Sequence, residues 1–190
     1  APDEQAERIA SGLSGEGRRA LLLGGLADSH PAGAELRYLA SVIAGLTGAD
    51  YGELTPGANT AGAWLAGAVP GRHADGEVTD GRDVADMLAT PRSGYLLLNV
   101  EPEHDFFDGA EVIRALAASE TVVAMSAYDS PSLRAHADVL LPVATLGETA
   151  GTLVNAEGRW QAFAGVGYPQ GDARPAWRLL RVLANVLDLD

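Results

Sequence analysis

The fold is indicated first by residues 94–102, Gly-Tyr-Leu-Leu-Leu-Asn-Val-Glu-Pro. This segment is a short apolar run that ends abruptly in polar and turn-forming residues. Other apolar runs lie at 20–23, 121–125 and 139–141, and apolar residues do not alternate with polar ones in any of them. A strand that is apolar on both faces is usually covered on both faces, as in parallel sheets packed between helices. We therefore predict that residues 94–100 form an inner strand of one parallel sheet that contains all four runs.

Helical patterns separate these runs. The second and the last predicted helices each have one apolar face that we expect to point inward: Leu36, Leu39, Ala40, Ile43 and Leu46 in the second, and Trp177, Leu180, Leu183, Ala184 and Leu187 in the last. Near the end of the chain, the turn sequence at 155–158 lies between two strand-like segments, which predicts a β-hairpin. The predicted class is α/β, a doubly wound, Rossmann-like, mainly parallel sheet with helices on both faces and a β-hairpin appendage, in a single domain over 1–190.

The composition excludes several classes of function. The chain has 190 residues, with 26 acids against 13 bases and a net charge of −13. Without a basic excess to neutralise phosphates, no nucleic-acid partner is expected, and no apolar run is long enough for direct membrane insertion. Cysteine is absent, which excludes disulfides, cysteine-ligated clusters and thiol catalysis within these residues. Since the sequence starts at Ala1 and stops directly after a helical pattern, we expect a fragment of a longer subunit.

Few residues suggest chemistry directly. Gly24-Gly25 follows a strand but lacks the spacing of a phosphate-binding loop, so we interpret it as a tight turn. The four histidines are far apart, and the acidic residues near His73 and His104 fit no calcium-loop pattern, so we interpret them as solvated. No catalytic residue and no metal ligand is predicted.

Two features remain open between a ligand-binding and a structural interpretation. Glu101 follows the strand at 94–100, where open α/β sheets usually bind ligands, and it is either a ligand-contacting acid or a turn residue. Arg174, Arg178 and Arg181 form a stripe on the last helix. A solvated face is the simpler interpretation of this stripe, with docking on an acidic partner as the alternative.

The segment 136–161 carries a family resemblance. Its sequence, His-Ala-Asp-Val-Leu-Leu-Pro-Val-Ala-Thr-Leu-Gly-Glu-Thr-Ala-Gly-Thr-Leu-Val-Asn-Ala-Glu-Gly-Arg-Trp-Gln, resembles the Ala-Asp-Val-x-Leu-Pro … Glu-x-x-Gly-Thr-x-x-Asn-x-Glu-Gly-Arg-x-Gln signature of molybdopterin oxidoreductases. Within that family it is most similar to the large iron–sulfur subunit of bacterial NADH:quinone oxidoreductase (respiratory complex I). Residues 57–67, 97–102 and 172–181 support the same resemblance.

The resemblance implies a non-catalytic scaffold domain of that subunit, in a molybdoenzyme-like body that is not known to hold a molybdenum cofactor in complex I. No cofactor is expected in this segment, and iron–sulfur clusters are expected elsewhere in the subunit. The implied partners are other peripheral-arm subunits, and the implied location is the cytoplasmic side of the bacterial inner membrane. The segment alone is expected to be inactive. The alternatives are a cofactor-contacting fragment of a molybdopterin-dependent dehydrogenase, such as a formate dehydrogenase, and a free-standing small-ligand-binding α/β domain.

The resemblance also assigns roles to individual residues. Positions like Asn99, Glu101 and Asn155 lie near the pterin dinucleotide in true molybdoenzymes, so they are the candidates for a vestigial pocket. The sequence Asn99-Val-Glu-Pro102 departs from the Gly-x-Asn-Pro type found there, which argues against cofactor binding. We expect a second set of residues to serve the hairpin or a partner contact, with Gly151, Asn155 and Gly158 in permissive backbone conformations. That set is Gly151, Thr152, Glu157, Gly158 and Arg159.

Overall fold

The computed structural model describes residues 3–28, 30–55, 57–106 and 108–189. Its helices are α1 (Glu4–Ser14), α2 (Gly25–Asp28), α3 (Gly33–Thr47), α4 (Thr60–Leu65), α5 (Val84–Ala89), α6 (Gly109–Ala117), α7 (Pro131–His136) and α8 (Ala176–Val186). Its strands are β1 (Ala20–Leu23), β2 (Asp50–Glu53), β3 (Gly94–Leu98), β4 (Thr121–Ser126), β5 (Val139–Pro142), β6 (Gly151–Val154) and β7 (Trp160–Phe163). The chain forms two compact units, 1–65 with 153–161, and 66–152 with 162–190.

The first unit contains a parallel pair of strands, β1 and β2, with Ala20 opposite Asp50 and Leu23 opposite Glu53. Helix α3 packs against both strands and ends at Gly48, which has a φ of 67°. Of the predicted inward face of α3, Ala40 is buried, whereas Leu39, Ile43 and Leu46 are exposed. That part of the prediction is wrong, because the two described strands are too narrow to cover the whole apolar face.

The second unit contains a parallel sheet in the order β3–β4–β5. Helices α5, α6 and α7 cover one face, where Leu97 and Val122 pack with Leu116 and Leu133 in the hydrophobic core. Asp108 accepts a hydrogen bond from Glu111 N at the start of α6, and Ser130 accepts one from Leu133 N at the start of α7. The parallel pairings, the flanking helices and the hairpin confirm the predicted α/β class.

The expectation of one four-stranded sheet is wrong. β1 pairs with β2 and not with the other predicted strands, and β4, rather than β3, is the central strand of the three-stranded sheet. The sequence of β2, Asp-Tyr-Gly-Glu, has no apolar run, and so the pattern that located the other strands missed it. Strand order depends on the path of the chain in space, which hydrophobic periodicity does not encode.

Helix α8 lies over the other face of the β3–β4–β5 sheet but packs on it loosely. None of its described residues is buried, and Trp177 and Leu187 are more than half exposed, contrary to the predicted inward face. A groove of about 510 Å³ separates the helix from the sheet, lined among others by Leu96, Met125 and Leu183. Of the predicted inward face, only Leu183 and Leu187 line this groove. The other residues near the end of the chain that line it are Leu179, Val182 and Val186. The apolar spacing therefore predicted the helix, but not the face that it turns to the sheet.

Candidate functional site

The carboxyl ends of β3, β4 and β5 meet at one edge of the sheet, because the three strands are parallel. Residues 99–105 follow β3, residues 127–130 follow β4, and Val143 follows β5. Open α/β sheets bind their ligands at this kind of edge. Two of the predicted pocket residues, Asn99 and Glu101, lie at this edge.

Asn99 is held by the neighbouring strand. Its φ of 49° is in the left-handed region, which asparagine tolerates better than most residues. Its backbone N–H donates to Met125 O at 2.8 Å, and its side-chain Oδ1 accepts from Ala127 N at 3.1 Å. The amide oxygen that would face a ligand is thus already bonded to the backbone that follows β4.

Glu101 has the backbone role of a turn residue. Its N–H donates to Asp105 Oδ2 at 2.7 Å, and its carbonyl oxygen accepts from the N–H groups of His104 and Asp105 at 2.9 and 3.0 Å. Pro102 follows it and is fully buried. Of the two interpretations left open for Glu101, the turn accounts for its hydrogen bonds.

Glu103, which the sequence pattern did not mark as a site residue, turns toward the start of α7. Its Oε2 and the Oγ of Ser132 are both shielded from solvent, and neither atom has a partner with hydrogen-bond geometry among the described residues. The pKa of Glu103 is lowered first by its own backbone N–H, then by the nearby hydroxyls of Ser132 and Ser130 and by His104. A carboxylate of this chain therefore lies beside the serine hydroxyls at the start of α7.

The charge of this edge does not suit a dinucleotide. Glu101, Glu103 and Asp105 follow β3, and Asp129 follows β4, so acids predominate. Arg134 is bonded to Asp129 through two nitrogens, which lowers the pKa of Asp129 and raises the pKa of Arg134. A pyrophosphate needs free cations or unpaired N–H groups. The acidic residues that follow β3 and β4 therefore do not fit the pterin dinucleotide that true molybdoenzymes bind.

The equivalent edge of the β1–β2 pair is closed by an ion network. Arg37 pairs with Asp28 and, at 3.6 Å, with Glu53, while the hydroxyl of Tyr51 donates to Glu53. Desolvation, followed by this hydrogen bond and the charge of Glu53, raises the pKa of Tyr51 to about 12. The N–H groups of Ala27 and Asp28 donate to Gly24 O, so Gly24 leads into α2 and not into the simple tight turn that was predicted after β1.

Asn155 organises the hairpin turn. Its Oδ1 accepts from the N–H groups of Glu157 and Arg159 at 3.1 and 2.9 Å, and its carbonyl oxygen accepts from Gly158 N at 2.9 Å. Gly158 has a φ of 77°, as predicted. Asn155 thus supports the hairpin through its side chain. Its amide oxygen, like that of Asn99, is already bonded to backbone.

The predicted reason for Gly151 and Asn155 is wrong, because in the described hairpin neither residue has a positive φ. Gly151 is required by packing, since a Cβ there would lie 2.9 Å from the ring of Phe163. Thr152 on β6, and Glu157 and Arg159 at the turn, have exposed side chains. Gly151 and Thr152 belong to the second unit, as do Asn99 and Glu101, whereas residues 155–159 belong to the first.

Asn59 is a structural residue that the sequence pattern did not reveal. Its Oδ1 accepts a hydrogen bond from Val154 N at 2.8 Å, which links the start of α4 to β6 across 95 positions of sequence. Gly62, one turn later, leaves room for this side chain, because an added Cβ would collide with it. Both residues lie in the segment 57–67, and the family resemblance of that segment is the sequence signal that could have identified them.

No helix in the described ranges is long and apolar enough to cross a membrane. In the same ranges, no group of three or more histidines and carboxylates is arranged to hold a metal ion. The acidic residues near His73 and His104 therefore do not come together as a candidate metal centre. The described contacts at the carboxyl ends of the strands belong to turns, helix caps and ion pairs.

Comparisons with known proteins match most of the chain. The profile of the family described as Molybdopterin oxidoreductase matches residues 9–186. The 75 kDa subunit of NADH-ubiquinone oxidoreductase from Reclinomonas americana is 32% identical over 89 residues, which are 47% of this chain and 13% of that protein. The mitochondrial 78 kDa subunit of NADH-ubiquinone oxidoreductase from Candida albicans is 44% identical over 52 residues, which are 27% of this chain and 7% of that protein. The matched stretches are thus small parts of both relatives. Because the family profile covers nearly the whole sequence, the chain belongs to the molybdopterin oxidoreductase family.

Proposed function

We propose that this chain is a non-catalytic scaffold domain of the large iron–sulfur subunit of a bacterial NADH:quinone oxidoreductase. In this role it supports NADH-to-quinone electron transfer by clusters outside these residues, holds no cofactor itself and is inactive alone. The names of the two relatives, both subunits of NADH-ubiquinone oxidoreductase, support the choice of enzyme. The family match supports the molybdoenzyme-like body to which the domain would belong.

The observation that carries the scaffold role is the closed carboxyl edge of the β3–β4–β5 sheet. Asn99 is bonded to the backbone after β4, Asp105 closes the turn at Glu101, and the carboxylate of Glu103 faces the start of α7. Side chains of the same chain, most of them acidic, already fill this edge. They leave few free cations or unpaired N–H groups to bind a dinucleotide. This favours a structural role over a cofactor-contacting one.

The exposed apolar surfaces support a place inside a larger assembly. Leu46 on α3 is 82% exposed, and Val186 on α8 is 73% exposed. Extended apolar surface of this kind usually marks contact with other protein surfaces. We infer that neighbouring peripheral-arm subunits, or other parts of the same subunit, cover these helices on the cytoplasmic side of the bacterial inner membrane.

Metal analysis of the full subunit tests the proposal against the molybdopterin-dependent alternative. The subunit that contains this chain is purified from cells that also produce a molybdenum-dependent dehydrogenase, which shows that the cofactor supply is adequate. We expect iron without stoichiometric molybdenum, tungsten or pterin. Molybdenum or tungsten in a one-to-one ratio with the subunit, together with pterin fluorescence after oxidation, would favour a cofactor-contacting role.

The purified 190-residue chain provides a second test. We expect a colourless protein that does not oxidise NADH in the presence of a soluble quinone. A flavin, pterin or cluster absorbance in stoichiometric yield would contradict the proposal, as would NADH oxidation that increases in proportion to the chain concentration.

A further inference from the structure

A cleft of about 820 Å³ opens beside the start of α8, within the second unit. Its lining includes residues 148–152, Phe163, Tyr168, Arg174, Trp177 and Arg178. We call it the α8 cleft. One of its lining residues, Arg174, lies alongside the end of β5, and neither the scaffold role nor the comparisons assign the cleft a use.

The α8 cleft is held in shape by backbone contacts. The N–H groups of Val166 and Gly167 both donate to Gly147 O, at 2.8 and 3.0 Å. Gly165 approaches the backbone of residues 148–149 so closely that a Cβ would lie 3.2 Å from it. Arg174 O accepts from Ala144 N at 2.9 Å, which fixes the chain just before α8 alongside the end of β5.

The surface of the α8 cleft is aromatic and exposed. Tyr168 is 88% exposed and Trp177 is 52% exposed. The guanidinium of Arg178 lies 5.1 Å from the centre of the Trp177 ring, which is cation–π geometry. Aromatic residues and arginines are enriched among the anchors of protein–protein interfaces, where they combine apolar area with hydrogen-bonding capacity.

The charge of the α8 cleft is opposite to that of the chain. Arg174 and Arg178 make no ion pair with any carboxylate in the part of the chain that the structure describes. Arg174 donates instead to the carbonyl oxygens of Gly171 and Ala173. The one acid that lines the cleft, Glu148, has a carboxylate oxygen that accepts from Thr145 N at 3.0 Å. Two cations thus remain without acidic partners among the described residues of a chain whose net charge is −13.

We propose that the α8 cleft receives an acidic segment of a neighbouring subunit, whose carboxylates pair with Arg174 and Arg178 and whose apolar side chain stacks on Tyr168 and Trp177. This inference rests on the proposed scaffold role and adds a specific docking surface to it. A small ligand is a poorer match, because pockets for small molecules bury most of the ligand surface, whereas this cleft is open and its aromatics are exposed. A nucleic acid is disfavoured by the net charge.

A charge reversal with a matched control tests the proposal in the assembled enzyme. The variant Arg174→Glu/Arg178→Glu is compared with Arg82→Glu/Arg114→Glu, which changes the net charge equally at exposed positions outside the cleft. The complex is purified through a tag on another subunit. We expect recovery of the first variant to fall about tenfold or more at physiological salt, and we expect no loss for the control.

The thermal melting of both purified variants is measured to separate loss of docking from loss of folding. The residues are exposed, and so we expect both to melt within a few degrees of the parent. If the first variant does not fold, Arg174→Gln/Arg178→Gln replaces it with the same expectation for recovery. Recovery of a folded variant at the parental level would overturn the docking surface.

Cross-linking identifies the partner directly. A photoreactive benzophenone amino acid is placed at Tyr168, with Val78, an exposed position outside the cleft, as the control site. In the assembled complex, we expect the first site to cross-link to an acid-rich segment of another subunit and the control site not to label that segment. A cross-link only to a second copy of this chain, to a basic segment or to nothing would overturn the proposal.

The scaffold role and the docking surface can be contradicted separately. If the parent chain itself never co-purifies with the complex, the proposed function fails and the docking surface fails with it. If the parent and the charge-reversed variant are both recovered fully, the scaffold role stands and the docking surface alone is wrong.

Discussion

Gly158 occupies a backbone conformation that side chains with a branched Cβ rarely adopt, with a φ of 77° at the hairpin turn. We predict that Gly158→Val destabilises the chain by about 1–3 kcal/mol, because the β-branched side chain is strained there. Gly158→Asn is the matched control and should cost much less, since asparagine tolerates positive φ. Urea unfolding followed by tryptophan fluorescence measures both. Equal midpoints for the valine variant and the parent would contradict the prediction.

Glu103 should make the stability of the chain depend on pH in the acid range. Its pKa is lowered in the folded state, so its contribution is present above the ordinary carboxyl pKa and is lost as the pH falls through the folded value. Glu103→Gln removes this contribution. We expect the variant to be less stable than the parent at pH 7 and to lose less stability on acidification.

The control for this pH prediction is Glu16→Gln, at an exposed position. It should unfold like the parent at every pH tested. Urea midpoints measured from pH 3 to pH 7 give the comparison. Parallel pH profiles for the parent and Glu103→Gln would show that the backbone N–H of Glu103 and the nearby serine hydroxyls do not stabilise the carboxylate.

Individual residues were predictable only where the backbone alone decides their role. The turn sequence indicated the positive φ of Gly158, because that conformation is a local property of the chain. Gly151 is required by the ring of Phe163, twelve positions away, and the contacts of Glu103 depend on how α7 packs near the end of β3. Such contacts are set by packing, which no local pattern reports.

At the scale of elements, replacing Gly62 in α4 by alanine should change the stability of the chain in the direction opposite to the one usual for a helix. Gly→Ala in a helix usually stabilises by up to about 1 kcal/mol. We predict that Gly62→Ala instead destabilises by about 1 kcal/mol or more, because the new Cβ displaces Asn59 from Val154 N. Gly45→Ala in α3, where a Cβ would meet nothing within 4 Å, should follow the usual rule.

Trp64 lies in α4 and reports on this change, so the measurement is urea unfolding followed by tryptophan fluorescence. A further variant, Asn59→Ala, should lose a similar amount of stability by removing the same hydrogen bond. If Gly62→Ala is as stabilising as Gly45→Ala, the contact between Asn59 and Val154 does not contribute to folding.

Elements with strong patterns were predicted well, and β2 was not. The apolar runs of β1, β3, β4 and β5 are local signals. Strand β2 is polar and is recognised by its pairing with β1. The stripes of α3 and α8 are correctly helical, but their exposure depends on how much sheet lies beneath them.

At the scale of the whole molecule, Arg159 should serve assembly rather than folding. Its side chain is exposed at the hairpin turn, and only its backbone takes part in the described turn contacts. We predict that Arg159→Ala melts within a few degrees of the parent but is recovered less well in the assembled complex. A variant that assembles normally but loses a bound ligand would contradict the prediction and favour the vestigial-pocket interpretation. Arg92→Ala, at another arginine outside the hairpin, is the control.

The sequence by itself determined the α/β class, the hairpin with its Gly158 turn, and the family. These follow from periodicity, turn chemistry and a motif, all of which are local in the chain. Only the tertiary structure decided that β1 pairs with β2 and not with the β3–β4–β5 sheet, and that β4 is central. It also decided that the polar residues after β3 bond to their own chain, and that two arginines without acidic partners among the described residues line the α8 cleft. The physical reason is that strand order, pairing and charge neighbours depend on contacts between residues far apart in sequence.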